Sequence, residues 1–199
     1  MHIFVITGPS GVGKSHLINE LSKNGLYPLE VYTDRTRRPS EERVTDRVYI
    51  SVDEFNKSLN DFLYWFEFQG NRYGYKKDDI EKQRKLGRSI CFNITPTHLK
   101  FLLERLPEAV TIYLNTPVED FDLLFRRMVE RDISPGDFEK DREKKVKKIE
   151  SRLKSALSEA IDYGEIEKVF SLNPMSRSFV VKDDRTLYEE VLPYILGCQ

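Results

Sequence analysis

The chain has few cysteines and no long apolar run, the features from which disulfide scaffolds, cysteine metal centres and membrane spans are built. Its 199 residues include two cysteines, Cys91 and Cys198, which lie far apart. We therefore expect reduced thiols in a cytoplasmic protein, without a disulfide framework or a cysteine metal site. No apolar run approaches the roughly 20 residues of a membrane span. Because a strand-like run begins directly at His2, we also expect no signal peptide.

The net charge of the chain is also small. The 32 basic residues are balanced by 33 acidic residues, which leaves a formal charge of −1. Such a chain exerts no overall pull on nucleic acid or on an anionic membrane, so neither is an expected partner. The 39% apolar fraction is ample for one continuous core at this length. The oligomeric state is not fixed by the sequence, and a homodimer is compatible with it.

What the chain does have is a glycine-rich loop near its start. Residues 8–15 read G-P-S-G-V-G-K-S, directly after the apolar run Ile3–Ile6. Glycines let backbone N–H groups converge on anionic oxygens, and a following helix adds its positive end. The predicted triphosphate-binding residues are Gly8, Ser10, Gly11, Val12, Gly13, Lys14 and Ser15. In this interpretation Lys14 reaches the β/γ-phosphates and the Ser15 hydroxyl is a ligand of Mg²⁺.

The context of this loop supports the interpretation. Leu17, Ile18 and Leu21 have the spacing of a core-facing helix, and Gly25 stands where a helix commonly ends. The alternative is a glycine-rich turn between strand and helix that binds nothing. Strand, loop, lysine, hydroxyl and helix all agree with the first interpretation, so we expect a bound nucleoside triphosphate with Mg²⁺.

Strands alternate with helices along the chain, which predicts a parallel sheet wrapped by helices, an α/β fold. Helix starts are marked by the capping pair Ser51 and Glu54, by Thr95-Pro96 and by Thr116-Pro117. A last helical pattern contains Leu187, Val191, Leu192 and Ile195. The predicted strands are His2–Thr7, Arg88–Asn93, Val110–Leu114 and Val169–Leu172.

Two segments depart from the alternation. Phe62–Phe68 and Arg72–Tyr75 flank Gly70-Asn71, which is typical of an aromatic hairpin in a small mixed insertion. The densely charged run 137–148 continues into a helix with one apolar stripe. Such a run is usually a solvated helix face, but here it can also form a mobile lid that carries cations over phosphates.

A basic cluster follows the first helical unit. Residues 33–39 read T-D-R-T-R-R-P and place three arginines within four positions. Guanidinium groups match phosphate oxygens in pairs, so the cluster is a candidate phosphate clamp, with a basic surface loop as the alternative. The hydroxyls of Tyr49 and Tyr73 can donate to the same phosphate, although such tyrosines are often packing residues.

Taken in order, these pieces resemble the guanylate kinase family. The matching motifs are the loop 8–15, the arginine segment 33–39, residues 46–51 (D-R-V-Y-I-S) with Glu54-Phe55, Trp65, and residues 70–74 (G-N-R-Y-G). The resemblance covers about the first two thirds of the chain. It implies a P-loop kinase fold with a small mixed-β acceptor-binding insertion and a helical lid. The implied single domain divides into a core (1–32, 88–125 and 153–199), an acceptor unit (33–87) and a lid (126–152).

The resemblance also implies roles for individual residues. Arg37, Tyr49 and Tyr73 would hold the acceptor phosphate, and Thr33 stands where the family has an acceptor-site serine. Lys14 and the lid arginines Arg131 and Arg152 would stabilise the transferred phosphoryl group.

The sequence departs from the family where the family reads guanine. Tyr64 replaces a glutamate, Tyr75 a serine, and Asn93 and Thr95 an Asp-x-Asp pair, while Ser40 replaces a phosphate-binding arginine for which Arg38 can substitute. A hydroxyl cannot accept the two hydrogen bonds that guanine offers to a carboxylate. Glu67 lies one pleat away but points to the opposite face of a regular strand. Thr95 also fits a helix N-cap, and Asn93 keeps an oxygen that suits Mg²⁺.

Three functions remain open at this point. The first is a kinase that transfers a phosphoryl group from ATP to a nucleoside monophosphate, with GMP as the default acceptor. The second is a kinase of the same fold with another phosphorylated acceptor, such as a ribose bisphosphate or a modified nucleotide. The third, a binding module without activity, is disfavoured because Gly13-Lys14-Ser15 is intact.

Overall fold

The chain forms two sheets, one parallel and one mixed, in the computed structural model, which describes residues 1–37, 46–133, 138–161, 163–171 and 173–198. Within those residues the strands are β1 (Ile3–Thr7), β2 (Tyr27–Pro28), β3 (Val31–Thr33), β4 (Arg47–Tyr49), β5 (Phe62–Phe68), β6 (Asn71–Lys76), β7 (Ile90–Asn93), β8 (Val110–Asn115) and β9 (Arg177–Val180). The helices are α1 (Lys14–Lys23), α2 (Val52–Lys57), α3 (Lys77–Lys85), α4 (Pro96–Leu103), α5 (Phe121–Asp132), α6 (Glu139–Ile161), α7 (Tyr163–Phe170), α8 (Asp184–Thr186) and α9 (Leu192–Gly197). A 3₁₀ turn at Val118–Asp120 precedes α5, and a π turn at Leu187–Val191 precedes α9.

The larger sheet is the centre of the fold. Its strand order is β2-β7-β1-β8-β9, and the pairings are all parallel. β1 is buried on both faces: Phe4 and Ile6 belong to one apolar cluster, and Ile3 and Val5 belong to the other. A strand with helices on both sides has no polar face, which is why Ile3–Ile6 reads as an uninterrupted apolar run. The α/β prediction is confirmed.

Helix packing follows the predicted apolar stripes. Leu17, Ile18 and Leu21 of α1 are buried in the first cluster with residues of α5, α6 and the carboxyl-terminal helices. Leu99 and Leu102 of α4 and Phe170 of α7 cover the opposite face. No helix within the described residues is long and apolar enough to cross a membrane.

The helix starts predicted at Ser51 and at Thr95-Pro96 are present, and the one predicted at Thr116-Pro117 is a 3₁₀ turn that begins at Val118. Ser51 and Glu54 form the reciprocal capping box: the Glu54 N–H donates to the Ser51 hydroxyl over 3.2 Å, and the Ser51 N–H donates to the Glu54 carboxylate over 2.8 Å. Thr95 holds the N-cap position of α4, but its hydroxyl makes no capping bond. That hydroxyl lies 3.4 Å from the Thr97 hydroxyl instead.

Two local predictions were wrong. Val169 and Phe170 lie in α7, and the strand that completes the parallel sheet is β9; Leu172 is outside the described residues. Phe170 follows Tyr163 and Ile166 at helical spacing, and all three pack in the second cluster. The spacing of the apolar residues therefore determines the helix here, although the segment has the composition of a strand. In the hairpin, Phe68 pairs with Asn71, so the turn is Gln69-Gly70 and not Gly70-Asn71.

The smaller sheet has the order β4-β3-β6-β5 and mixes parallel and antiparallel pairs. It holds the predicted aromatic hairpin β5–β6, and its strand β3 begins at Val31, two residues before the predicted acceptor unit (33–87). The predicted lid (126–152) runs from within α5 to within α6, with residues 134–137 outside the described chain.

Candidate active site

The glycine-rich loop leaves β1 and enters α1 through backbone angles that favour glycine. The angle φ is 137° at Gly8, 88° at Gly11 and 110° at Gly13. A Cβ atom at Gly8 would lie 2.2 Å from the carbonyl oxygen of Leu114 in the neighbouring strand β8, so a side chain cannot fit there. Loops of this kind let successive N–H groups face one anion, and α1 adds the positive end of its dipole.

Lys14 is folded back over this loop. Its ammonium group donates to the carbonyl oxygens of Gly8 and Pro9 at 2.6 and 2.8 Å. The charge therefore stands over the loop itself, where phosphate oxygens would lie. Ser15 follows it and faces the same space.

A cavity of about 290 Å³ opens in front of the loop. Its described lining contains seven basic side chains and no carboxylate: Lys14, Arg35, Arg47, Arg127, Arg131, Lys148 and Arg152. Such a wall concentrates positive potential in an enclosed space and favours polyanionic ligands. The cavity suits phosphate groups.

Arginines from α5 and α6 form the side of the cavity next to the loop. Asp132 accepts hydrogen bonds from Arg131 Nε at 2.8 Å and from Arg152 Nη1 at 2.7 Å. Arg127 bonds Asp184 at 2.6 Å and approaches the carbonyl oxygens of Gly11 and Val12 at 3.4 Å. These cations are therefore already oriented by the protein.

An aromatic wall from the small sheet forms the opposite side. Phe66, Phe68, Tyr73 and Tyr75 line it, and the rings of Phe66 and Tyr73 stack with centroids 5.5 Å apart. Arg35 and Arg47 stand at this end of the cavity on the strands and turns beside the hairpin. This half combines flat apolar rings with cations, a surface suited to a phosphorylated ring compound.

The structure brings together most of the predicted site residues. Those that line the cavity are Gly8, Ser10, Gly11, Gly13, Lys14, Ser15, Tyr73, Tyr75, Asn93, Thr95, Arg131 and Arg152. Those that do not are Val12, Thr33, Arg37, Tyr49 and Tyr64. Arg38 lies outside the described residues.

The residues away from the cavity have other contacts. Val12 is fully buried in the core, although its backbone remains part of the loop. Thr33 is also fully buried, and its hydroxyl accepts from the Arg35 N–H at 3.2 Å. Arg37 is exposed, with its guanidinium 5.5 Å from the centre of the Tyr49 ring. Tyr49 accepts a hydrogen bond from Arg35 at 3.4 Å.

The resemblance places Tyr64 and Tyr75 at guanine-reading positions, and the hydroxyl of each contacts another residue of the protein. The Tyr64 hydroxyl lies 3.1 Å from His98 Nδ1, and burial raises its pKa. The Tyr75 hydroxyl donates to the Asn93 carbonyl oxygen, and complete burial raises its pKa further. Both hydroxyls thus remain protonated at neutral pH, and neither supplies the paired acceptor that a carboxylate would.

Among the cavity residues that were not predicted site residues are the cations Arg35, Arg47, Arg127 and Lys148 and the amide of Gln69. Arg35 belongs to the basic cluster, but the chain turns after it, so the cluster alone does not tell which arginine points inward. Arg47 pairs with Val31 across β3 and β4, a register that local sequence does not reveal.

Ser15 and Asn93 are candidates for a metal site because both line the cavity and both offer an oxygen. No group of three histidine, cysteine, aspartate or glutamate side chains comes together within the described chain. The hydroxyl and amide oxygens suit a hard cation such as Mg²⁺, which keeps waters and phosphate oxygens as its other ligands.

Comparison with known proteins gives one consistent family. The guanylate kinase family model matches residues 1–171. The chain is 34% identical over 131 residues to the guanylate kinase of Bartonella henselae, and this alignment covers 63% of this chain and 59% of that protein. It is 30% identical over 166 residues to the guanylate kinase of Chlamydia trachomatis, which covers 81% of this chain and 77% of that protein.

A solved structure agrees on the fold. The guanylate kinase of Anaplasma phagocytophilum superposes with a TM-score of 0.67 at 19% identity, covering all of this chain and 86% of that one. Together with the family match over residues 1–171, this leads to one conclusion. The chain belongs to the guanylate kinase family of P-loop nucleoside monophosphate kinases.

Proposed function

We propose that this protein transfers the γ-phosphoryl group of ATP to the phosphate of a nucleoside monophosphate, with Mg²⁺ and with GMP as the reference acceptor. The observation that carries the proposal is the cavity between the glycine-rich loop and the aromatic hairpin, whose described lining holds seven cations. Donor and acceptor phosphates can meet there with their charge neutralised from several directions.

Each half of the cavity has its own task. The loop and Lys14 hold the triphosphate, while Arg131 and Arg152 stabilise the charge on the phosphoryl group during transfer. Arg35, Arg47 and Tyr73 align the acceptor phosphate for in-line attack, with the aromatic wall behind it. Ser15 and Asn93 would hold Mg²⁺, which offsets phosphate charge when bound. Residues 33–87 serve as the acceptor unit and 126–152 as the lid.

A second acceptor class is favoured by one specific observation. The described lining contains no carboxylate, and the hydroxyls of Tyr64 and Tyr75 are bonded to His98 and Asn93. A guanine base would leave its N1–H and amino donors without the paired acceptor that usually reads them. A kinase for a ribose bisphosphate or a modified nucleotide has no need of that acceptor.

A substrate panel separates these candidates. Purified protein is assayed by coupled ADP release with ATP, Mg²⁺ and each of GMP, the other nucleoside monophosphates and a ribose bisphosphate. Efficient turnover of GMP alone supports the first candidate, and preference for another acceptor supports the second. If no acceptor is turned over, the kinase proposal fails.

The Lys14→Ala variant tests whether the turnover belongs to this site. We expect it to lose phosphoryl transfer while it keeps its fold, since Lys14 donates to loop carbonyl oxygens and belongs to neither apolar cluster. Lys23→Ala is the matched control, because Lys23 lies on the same helix with its side chain 61% exposed. Equal activity of the two variants would contradict the assignment of Lys14.

A further inference from the structure

Gln69 is a non-glycine residue in a left-handed backbone conformation, at the tip of the aromatic hairpin. Its φ is 53°, and Gly70 after it has a φ of 70°. A hairpin turn of type I′ needs positive φ at both of its central positions, and asparagine, aspartate or glycine usually supply it. Glutamine is a strained choice there, and strain of this kind is retained where a side chain has another task.

The Gln69 side chain connects the hairpin to α6. Its Oε1 accepts a hydrogen bond of 3.1 Å from Arg152 Nε, across 83 residues of sequence. On the other edge of the guanidinium, Arg152 Nη1 donates to Asp132 at 2.7 Å. Arg152 has 5% of its surface exposed, so its plane is fixed by partners from the hairpin and from α5.

The other end of the same amide group is enclosed by the protein. Gln69 lines the cavity, and its Nε2 is buried with no hydrogen-bond partner among the described residues. A buried N–H donor without an acceptor is costly. The hairpin therefore keeps both an unfavourable φ and an unsatisfied donor at the residue whose Oε1 bonds Arg152.

We propose that Gln69 is a positioning residue that holds Arg152 in place for phosphoryl transfer. The acceptor hairpin and the lid helix are thereby joined through one amide group. This inference rests on the proposed kinase function for its kinetic consequences and on the Gln69–Arg152 contact for its structural ones.

Two substitutions separate the effect of the Gln69 side chain from the effect of its backbone conformation. Gln69→Met keeps the length and loses both polar atoms, whereas Gln69→Gly removes the side chain and relieves the positive φ. We expect both to lower kcat roughly 10- to 100-fold, as misplacement of a transfer group does, with the KM for ATP changed less than about twofold. We also expect Gln69→Gly to unfold at a higher urea concentration than Gln69→Met, since only the glycine relaxes the turn.

A double-mutant cycle with Arg152→Met decides whether Gln69 acts through that arginine. We expect Gln69→Met to have little further effect on kcat when Arg152 is already replaced. A full and independent loss in that background would overturn the proposal, and so would normal kcat in Gln69→Gly.

The same cycle is measured by urea unfolding without substrates. Non-additive unfolding midpoints support the Gln69–Arg152 link, and additive midpoints overturn it, even if the wild-type protein turns over none of the acceptors in the panel. Failure of the kinase proposal and failure of this inference therefore give different results.

Discussion

Asp132 accepts a 2.7 Å hydrogen bond from Arg152, which joins the last residue of α5 to the middle of α6. The same carboxylate accepts from Arg131 Nε and Nη2 at 2.8 and 2.9 Å. Both arginines line the cavity, and Asp132 does not. One carboxylate beside the site therefore orients two cations within it, at the cost of offsetting part of their charge.

Replacement of Asp132 by asparagine should reduce catalysis more than binding. Asparagine keeps the shape and one acceptor, but it loses the charge that holds both guanidinium groups. We expect kcat to fall roughly 10-fold or more and the free energy of unfolding to fall by about 1–3 kcal/mol. Steady-state kinetics and urea unfolding measure the two effects.

Asp122→Asn is the matched control for this prediction. It removes the same charge from an exposed position on the same helix α5. An equal change of kcat in both variants would mean that net charge, and not the orientation of Arg131 and Arg152, is responsible.

Binding of the acceptor phosphate should depend on Arg47 more than on Arg37. Arg47 lines the cavity, whereas Arg37 is exposed and lies over the Tyr49 ring. Loss of a charge-assisted hydrogen bond costs about 1.5–3 kcal/mol, so Arg47→Met should raise the acceptor KM roughly 10- to 100-fold. The KM for ATP should change much less.

Arg37→Met serves as the comparison, since it removes an identical side chain from the same unit. We expect a change of the acceptor KM of less than about twofold, because an exposed cation is screened by solvent. A larger effect for Arg37→Met than for Arg47→Met would show that residues 33–37 change position when the acceptor binds.

Features that depend on local spacing could be predicted from the sequence. β1, the loop and α1 follow from an apolar run, three glycines and a helical stripe in immediate succession, and the Ser51–Glu54 capping box follows from its own four residues. β9 could not be predicted, because only Phe179 of its four residues is buried. An edge strand with one buried side chain has no distinct periodicity.

The cavity lining depends on contacts between distant segments, and these have no local signal. Gln69 and Arg152 are 83 residues apart, and Tyr64 turns toward His98 on α4. Alternation along β5 places Tyr64, Phe66 and Phe68 on one face, but it does not say which of them reaches the cavity. That choice is made by how the small sheet lies against α4.

Gly8→Ala should destabilise the protein severely. The added Cβ would meet the Leu114 carbonyl oxygen at 2.2 Å, and the φ of 137° is strained for any side chain. We expect a loss of about 3 kcal/mol or more in the free energy of unfolding, which is in the range of the largest single-site effects. Gly164→Ala in α7 is the control: a Cβ there meets nothing within 4 Å. That variant should gain about 0.5–1 kcal/mol from helix propensity, and equal midpoints for the two would contradict the steric argument.

His98 should make the protein sensitive to mild acid. Burial is the main influence on its imidazole and lowers the pKa from the ordinary value of 6.5, while a hydrogen bond with the Glu67 backbone opposes the shift. The folded state therefore binds a proton less readily than the unfolded chain. Stability is complete above the ordinary pKa, declines as the pH falls through 6.5, and stops declining below the lowered pKa of the folded state.

His98→Gln should flatten this part of the pH profile, because glutamine does not titrate. Urea unfolding of both proteins between about pH 7.5 and about pH 5 measures the difference. Tyr64→Phe is the control, since it removes the hydroxyl 3.1 Å from Nδ1 but leaves the ring buried. We expect it to retain the wild-type slope, because burial is the largest cause of the shift. A wild-type slope in His98→Gln would assign the acid sensitivity to other groups, and a flat profile in Tyr64→Phe would assign it to the hydroxyl contact.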